Sequence, residues 1–289
     1  VNAPGKLAVI GDPISGSLSP VLQNAALKSL DLDLGYAAVA VPAHELGAMF
    51  PVFRQTYLGL NVTRPLKELV VDLCDDLAPE SMQARSVNTI VFRNGSAFGA
   101  STDVLGFMPA LRSVTRRDVK EAVILGTGGA ARAVAVALVR EGTRVHVSGR
   151  NAAAGTRLSS DLGVTFAAST APSTLSVLER ADLVVNATPV GGGDDGSSPL
   201  PDSAPLPQNG VVFDLVYRPR VTGLLRRARA EGCETVEGLC LLIEQAALSF
   251  ELWTGRDAPR DVMWAAALGS YGTVDSADNE PTNLQREQV

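Results

Sequence analysis

Six residues, Gly126-Thr127-Gly128-Gly129-Ala130-Ala131, constrain the fold more than any other stretch of this 289-residue chain. They follow a buried-strand pattern at 122–125 and open an alanine-rich helical pattern over 130–141. Residues 144–148 then read as a second strand. A strand, a glycine turn, a helix and a second strand in that order form the start of a doubly wound α/β sheet. Glycine lets the backbone approach a ligand closely, and a helix N-terminus presents unpaired N–H groups with a positive partial charge. The turn therefore suits the pyrophosphate of a dinucleotide. Its spacing is GxGGAA where the common fingerprint is GxGxxG, and a tight turn needing φ > 0 would use the same glycines.

Apolar runs alternate with helical patterns elsewhere too. Strands are predicted at 6–11, 36–41, 59–62, 181–186 and 211–215, with a helix over 20–30. Residues 87–93 and 96–99 form a hairpin around Asn94-Gly95, a favoured two-residue turn. Pro65 suits the first turn of a helix. Helical spacing returns over 239–253, and 191–207 is a loop rich in Gly, Asp, Ser and Pro. The fold class is α/β with two domains and a boundary near 103–109. The predicted division is 1–104, 105–237 as a Rossmann-like dinucleotide-binding domain, 238–270 as closing helices, and 271–289 as a loose polar tail.

Composition narrows the chemistry. Two histidines (His44, His146) and three scattered cysteines (Cys74, Cys233, Cys240) leave little material for a metal centre, a Ser-His-Asp triad or a disulfide framework. No metal is expected. A net charge of −6 argues against a nucleic-acid-binding face. No apolar run approaches the ~20 residues of a membrane helix, and no signal-peptide pattern opens the chain, so a cytoplasmic location is the expectation.

Ser148-Gly149-Arg150-Asn151 closes the second strand of the glycine-turn unit. An NAD site would place Asp or Glu there for the ribose 2′-hydroxyl. Arg150 can instead form a forked pair with a 2′-phosphate, worth ~10–150-fold between NADP and NAD. A solvated arginine would look the same. A nicotinamide enzyme reducing a ketone also needs a proton donor. Lys67, in Asn61-Val62-Thr63-Arg64-Pro65-Leu66-Lys67-Glu68, is the leading candidate. On the first turn of a helix, its ammonium would sit at the unfavourable end of the dipole, which lowers a lysine pKa. Asp103 falls where an interdomain cleft would form; a helix N-cap before Val104 is its alternative role.

At this point the chain resembles the shikimate dehydrogenase family. The resemblance is carried, in order, by Gly11-Asp12-Pro13-Ile14 with Ser17-Leu18-Ser19-Pro20, by Asn61 to Lys67, and by Ser86-Val87-Asn88-Thr89. Thr102-Asp103, Gly126 to Ala130 and Asn186-Ala187-Thr188-Pro189-Val190-Gly191 follow. Asp214-Leu215-Val216-Tyr217-Arg218-Pro219 and Gly238 to Gln245-Ala246-Ala247 complete it. The resemblance implies NADPH-dependent reduction of 3-dehydroshikimate to shikimate, on the route to chorismate and the aromatic amino acids. It implies Lys67 and Asp103 as the catalytic pair, and Ser17 and Ser19 on the substrate carboxylate. Thr63, Asn88, Asp103 and Gln245 would hold the hydroxyls, and Tyr217 would add a further contact. Gly126, Thr127, Gly128, Gly129, Ala130, Arg150, Asn151, Thr188, Val190, Leu215 and Gly238 are the implied cofactor residues. It further implies an N-terminal substrate domain, a closing helix that returns to it, a small-molecule partner and no membrane partner, with a homodimer left open.

The chain departs from the family pattern at several places. Gly16 replaces a usual His, Leu18 a common basic residue, Ser101 an Asn, Gly192 a Met and Ala154 a second basic clamp residue, with Arg157 one turn away. Two rival readings remain: a quinate/shikimate dehydrogenase using NAD, and a catalytically silent NADP-binding regulator.

Overall fold

In the computed structural model, residues 5–168, 172–193 and 196–271 are described. The expected tail lies, beyond Tyr271, outside the described residues.

Strands β1 (Gly5–Gly11), β2 (Leu34–Ala40), β3 (Gly59–Val62), β4 (Asp76–Leu77), β5 (Thr89–Arg93) and β6 (Ser96–Ala100) form one sheet, ordered β2-β1-β3-β5-β6-β4. It is mixed: β1 runs parallel to β2 and β3, whereas β5 is antiparallel to β3 and β6. Asn94 and Gly95 both take left-handed backbone, at φ 52° and 78°, which closes the β5–β6 hairpin as the dipeptide predicts.

The second sheet contains β7 (Glu121–Leu125), β8 (Arg144–Gly149), β9 (Thr165–Ala168), β10 (Leu183–Asn186), β11 (Val211–Asp214) and β12 (Glu234–Val236). Their order is β12-β11-β10-β7-β8-β9, and every pairing is parallel. The strand order reverses between β7 and β10. In such sheets the crevice for a ligand lies beyond the carboxyl ends of those two strands.

Ten α-helices connect and cover the sheets. They are α1 (Ser19–Ser29), α2 (Leu46–Thr56), α3 (Pro79–Ala84), α4 (Thr102–Arg112), α5 (Gly129–Arg140), α6 (Ala152–Leu162), α7 (Pro172–Arg180), α8 (Gly223–Ala230), α9 (Gly238–Thr254) and α10 (Arg260–Gly269), among the described residues. α4 runs without a break through 103–109 and buries Phe107 in the core of the second sheet. α9 begins beside that core, where Leu241 packs. It then turns Leu239, Ile243, Ala246, Phe250 and Trp253 onto the first sheet's cluster with Leu7, Val9 and Val91. The Trp253 indole N–H donates to the Ile90 carbonyl at 2.9 Å, and a Cβ on Gly59 would stand 2.2 Å from that nitrogen. Gly59 is thus required by the docking of α9.

Two local expectations are overturned. Residues 64–70 form hydrogen-bonded turns and no α-helix. The Lys67 carbonyl, which would propagate a helix, accepts from the Val87 N–H at 2.9 Å, and the Arg64 carbonyl accepts from the Asp12 N–H at 3.2 Å. Neighbouring chain segments take these acceptors, so the helix-dipole argument for Lys67 lapses. Asp103 is not an N-cap either. Ser101 holds that position, and Asp103 lies within the first turn of α4, where a carboxylate is favoured by the dipole.

Candidate active site

A cleft of about 810 Å³ lies between the two sheets. Its first wall comes from the loop after β1, the turns after β3 and the start of α4. Its second comes from the glycine turn, the loops after β10 and β11, and α9. The eight predicted substrate residues, Ser17, Ser19, Thr63, Lys67, Asn88, Asp103, Tyr217 and Gln245, all line it. So do Gly128, Gly129, Ala130, Thr188, Leu215 and Gly238 from the cofactor set.

Lys67 and Asp103 meet on the first wall of this space. Lys67 Nζ donates to Asp103 Oδ2 at 2.5 Å, and their side chains are 21% and 15% exposed. The pair is shielded enough to strengthen its attraction and open enough to touch a ligand. One partner comes from the turns after β3 and the other from α4.

A buried polar network supports this pair from behind. Asn88 accepts the Thr102 backbone N–H at 2.7 Å and donates to Thr102 Oγ1 at 2.9 Å and to Gln245 Oε1 at 3.3 Å. Asn61 donates to Ser249 Oγ at 2.9 Å and accepts from the Tyr36 hydroxyl at 2.7 Å. Thr89 bonds Ser249 at 2.8 Å. Burial pushes the pKa of the same Tyr36 hydroxyl well up. β3, β5, α4 and α9 are thereby locked together by groups that would cost free energy if left unpaired.

On the cofactor side, Gly126 has φ 121° and a Cβ there would stand 3.0 Å from the Ala187 carbonyl oxygen, so the turn demands glycine. Gly128, at the N-cap of α5, has open space where a Cβ would be, and no side chain caps the helix. The first N–H groups of α5 are left for a ligand, which fits a pyrophosphate. Gly238 is needed for a different reason: a Cβ would sit 2.5 Å from the Leu215 and Val216 carbonyl oxygens.

Five predicted cofactor residues lie outside the cleft wall. Gly126 shapes the turn from behind, and Thr127 leans on Gly149, where a Cβ would stand 2.8 Å from its Cγ2. The Val190 carbonyl accepts from Asn186 at 3.0 Å. Asn151 caps α6 by accepting from the Ala154 N–H at 3.0 Å. Arg150 is exposed at the end of β8.

Asn186, quoted only as part of a motif, carries more than that reading allows. Fully buried at the end of β10, it accepts from Thr188 N–H at 3.0 Å and Thr188 Oγ1 at 2.7 Å, and donates to Asp214 at 2.8 Å. It therefore sets the 188–190 turn at the crevice. Asp214 also accepts from Thr222 at 2.6 Å, and burial pushes its carboxyl up to about 6. Arg64, Glu68 and Arg218 line the cleft as well, with no role assigned from sequence. Leu18 is 2% exposed and packs inward, while Gly16 is exposed. Among the described residues no three His, Cys, Asp or Glu side chains are placed to hold a metal ion, and no helix is long and apolar enough to cross a membrane.

Known proteins share this arrangement. A profile described as the shikimate dehydrogenase substrate binding domain matches residues 9–90, and one described as the shikimate 5'-dehydrogenase C-terminal domain matches 238–268. A shikimate dehydrogenase (NADP(+)) of Symbiobacterium thermophilum is 40% identical over 281 residues, covering 93% of this chain and 96% of the relative. The solved shikimate 5-dehydrogenase of Thermus thermophilus, in complex with NADP(H) and shikimate, is 38% identical with a TM-score of 0.85; 92% of this chain and 99% of that one are covered. Quinate dehydrogenase from Corynebacterium glutamicum, in complex with NAD, superposes with a TM-score of 0.83 at 28% identity, covering 92% of this chain and 99% of that one. Overall shape thus does not separate the two activities.

Proposed function

This chain belongs to the shikimate dehydrogenase family, and from that premise we propose that it interconverts 3-dehydroshikimate and shikimate with NADP(H), using Lys67 as the proton donor and acceptor. The observation that carries the reading is the 2.5 Å Lys67–Asp103 pair inside a cleft whose other wall holds the glycine turn.

The cofactor, when bound, supplies or accepts hydride at the carbon that interconverts between ketone and alcohol. The first turn of α5 would hold its pyrophosphate, and Thr188, Leu215 and Gly238 line the path towards the cleft centre. Arg150, exposed at the end of β8, would take the 2′-phosphate; no acidic residue stands between Ser148 and Asn151 to favour a free 2′-hydroxyl. Reduction requires one proton at the ketone oxygen, which Lys67 Nζ delivers; oxidation returns that proton to the same nitrogen. Asp103 holds the ammonium in place through the hydrogen bond it accepts. Asn88 donates to Gln245 and is tied to Thr102, and Gln245 donates to the Leu242 carbonyl, so both line the cleft for substrate hydroxyls with little freedom left to lose. A site built on such groups discriminates against analogues that lack a hydroxyl. On the same reading, residues 1–104 form the substrate half and residues 105–237, with the parallel sheet, form the cofactor half.

Initial rates with shikimate and quinate, each against NADP+ and NAD+, test the proposal. The expected result is fastest turnover with shikimate and NADP+. Turnover of quinate with NAD+ at a higher kcat/KM would favour the rival dehydrogenase, and no turnover of either acid would leave only the silent regulator.

A further inference from the structure

In the loop after β1, residues 13–19 approach the substrate end of the cleft and carry no charge. They offer three serine hydroxyls, Ser15, Ser17 and Ser19, an exposed Gly16 with empty space where a side chain would be, and Leu18 buried in the core. Neutral donors hold a carboxylate more weakly than charged ones. The cleft nevertheless contains three cations, Arg64, Lys67 and Arg218, against two carboxylates, Glu68 and Asp103. Lys67 is committed to Asp103. Glu68 lies towards the glycine turn, where a Cβ on Gly129 would be 3.9 Å from its Oε1.

Two guanidinium groups are left. Arg64 follows Thr63 on the first wall, and Arg218 follows Tyr217 on the second. Both are exposed, and neither side chain has a hydrogen-bond or ion-pair partner among the described residues. Arg218 lies 5.9 Å from the centre of the Tyr271 ring, whose hydroxyl donates to the Tyr217 carbonyl at 2.5 Å, so Tyr271, just past the end of α10, steadies that arm.

We propose that Arg64 and Arg218 act as a two-walled clamp for the substrate carboxylate, supplying the positive charge that the serine loop lacks. The clamp rests on the reading of the cleft as a shikimate site and adds to it how the acid is recognised. A guanidinium can bind a carboxylate through two parallel N–H···O bonds. An anion held between the walls also offsets the repulsion between the two arginines, so substrate binding draws the halves together.

The test uses Arg64→Met and Arg218→Met in the full chain, assayed with shikimate and with its uncharged methyl ester at saturating NADP+. Each variant is expected to raise KM for shikimate about tenfold or more, the lower range for a charged hydrogen bond, and to change KM for the ester much less. Arg64→Lys, which keeps the charge, should recover part of the loss. Equal effects on acid and ester, or a loss confined to KM for NADP+, would overturn the clamp. Wild-type enzyme that fails to oxidise shikimate would instead overturn the assignment of the reaction, a result independent of the variants. Thermal melting of each variant identifies unfolding, and the acid-to-ester ratio remains readable in any folded fraction.

Discussion

An ammonium and a carboxylate held 2.5 Å apart at the edge of a cleft can move a proton to a ligand only if neither is locked away from it. Lys67 meets that condition because its backbone is fixed and its side chain is not. The Val87 N–H pins its carbonyl, while Nζ has Asp103 as its one side-chain partner among the described residues. Replacing Lys67 with Met keeps most of the stem and removes the proton. We expect kcat to fall by ~10²–10⁴-fold, with a smaller change in KM for shikimate. Steady-state rates in both directions check this, and an unchanged kcat would remove Lys67 from the proton transfer. Asp103 acts through the same ammonium, so adding Asp103→Asn to the Lys67 variant should cost far less than it does alone.

At the scale of elements, β10 and β11 end in Asn186 and Asp214, a buried pair that shapes both loops of the cofactor wall. Burial raises the Asp214 carboxyl to about 6, above its ordinary value of 3.8. The native state therefore holds this proton more tightly than the unfolded chain does. The resulting penalty is absent below pH ~4, grows as pH rises towards ~6, and is constant above that. Asp214→Asn removes the titration. Its stability relative to wild type should rise between pH 4 and pH 7, by ~3 kcal/mol at most, in urea unfolding at the two values. Parallel behaviour at both would show that Asp214 does not titrate there. Much of this scale was legible in the sequence. The glycine turn, the Asn94-Gly95 hairpin and the parallel strands are specified by neighbours in the chain. The turns around Lys67 were not, because Val87 and Asp12 take carbonyls that a local reading assigns to a helix. Asn186, Asn61 and the Arg64–Arg218 arrangement escaped for the same reason: each owes its role to partners remote in sequence.

Across the whole molecule, α4 and α9 make the two sheets interdependent. α4 presents Asp103 to Lys67 from its first turn, and one turn later buries Phe107 against Phe213 of β11, with ring centres 5.2 Å apart and planes 15° from parallel. α9 starts at the cofactor wall and ends in the core of the first sheet. Asp103 therefore rides on a helix anchored in the second sheet's core, while Lys67 stands in turns of the first sheet. A cavity under α4 should loosen both the fold and the pair. Phe107→Ala removes a fully buried ring and is expected to cost ~3–5 kcal/mol of stability, a large part of the ~5–15 kcal/mol typical of native proteins. If the shared helices couple the halves, urea unfolding of this variant will remain a single transition moved to lower denaturant, and kcat at 25 °C will fall although residue 107 does not line the cleft. Two separated transitions, with kcat preserved until the first of them, would show that the sheets unfold independently and that α4 carries Asp103 without help from its anchor.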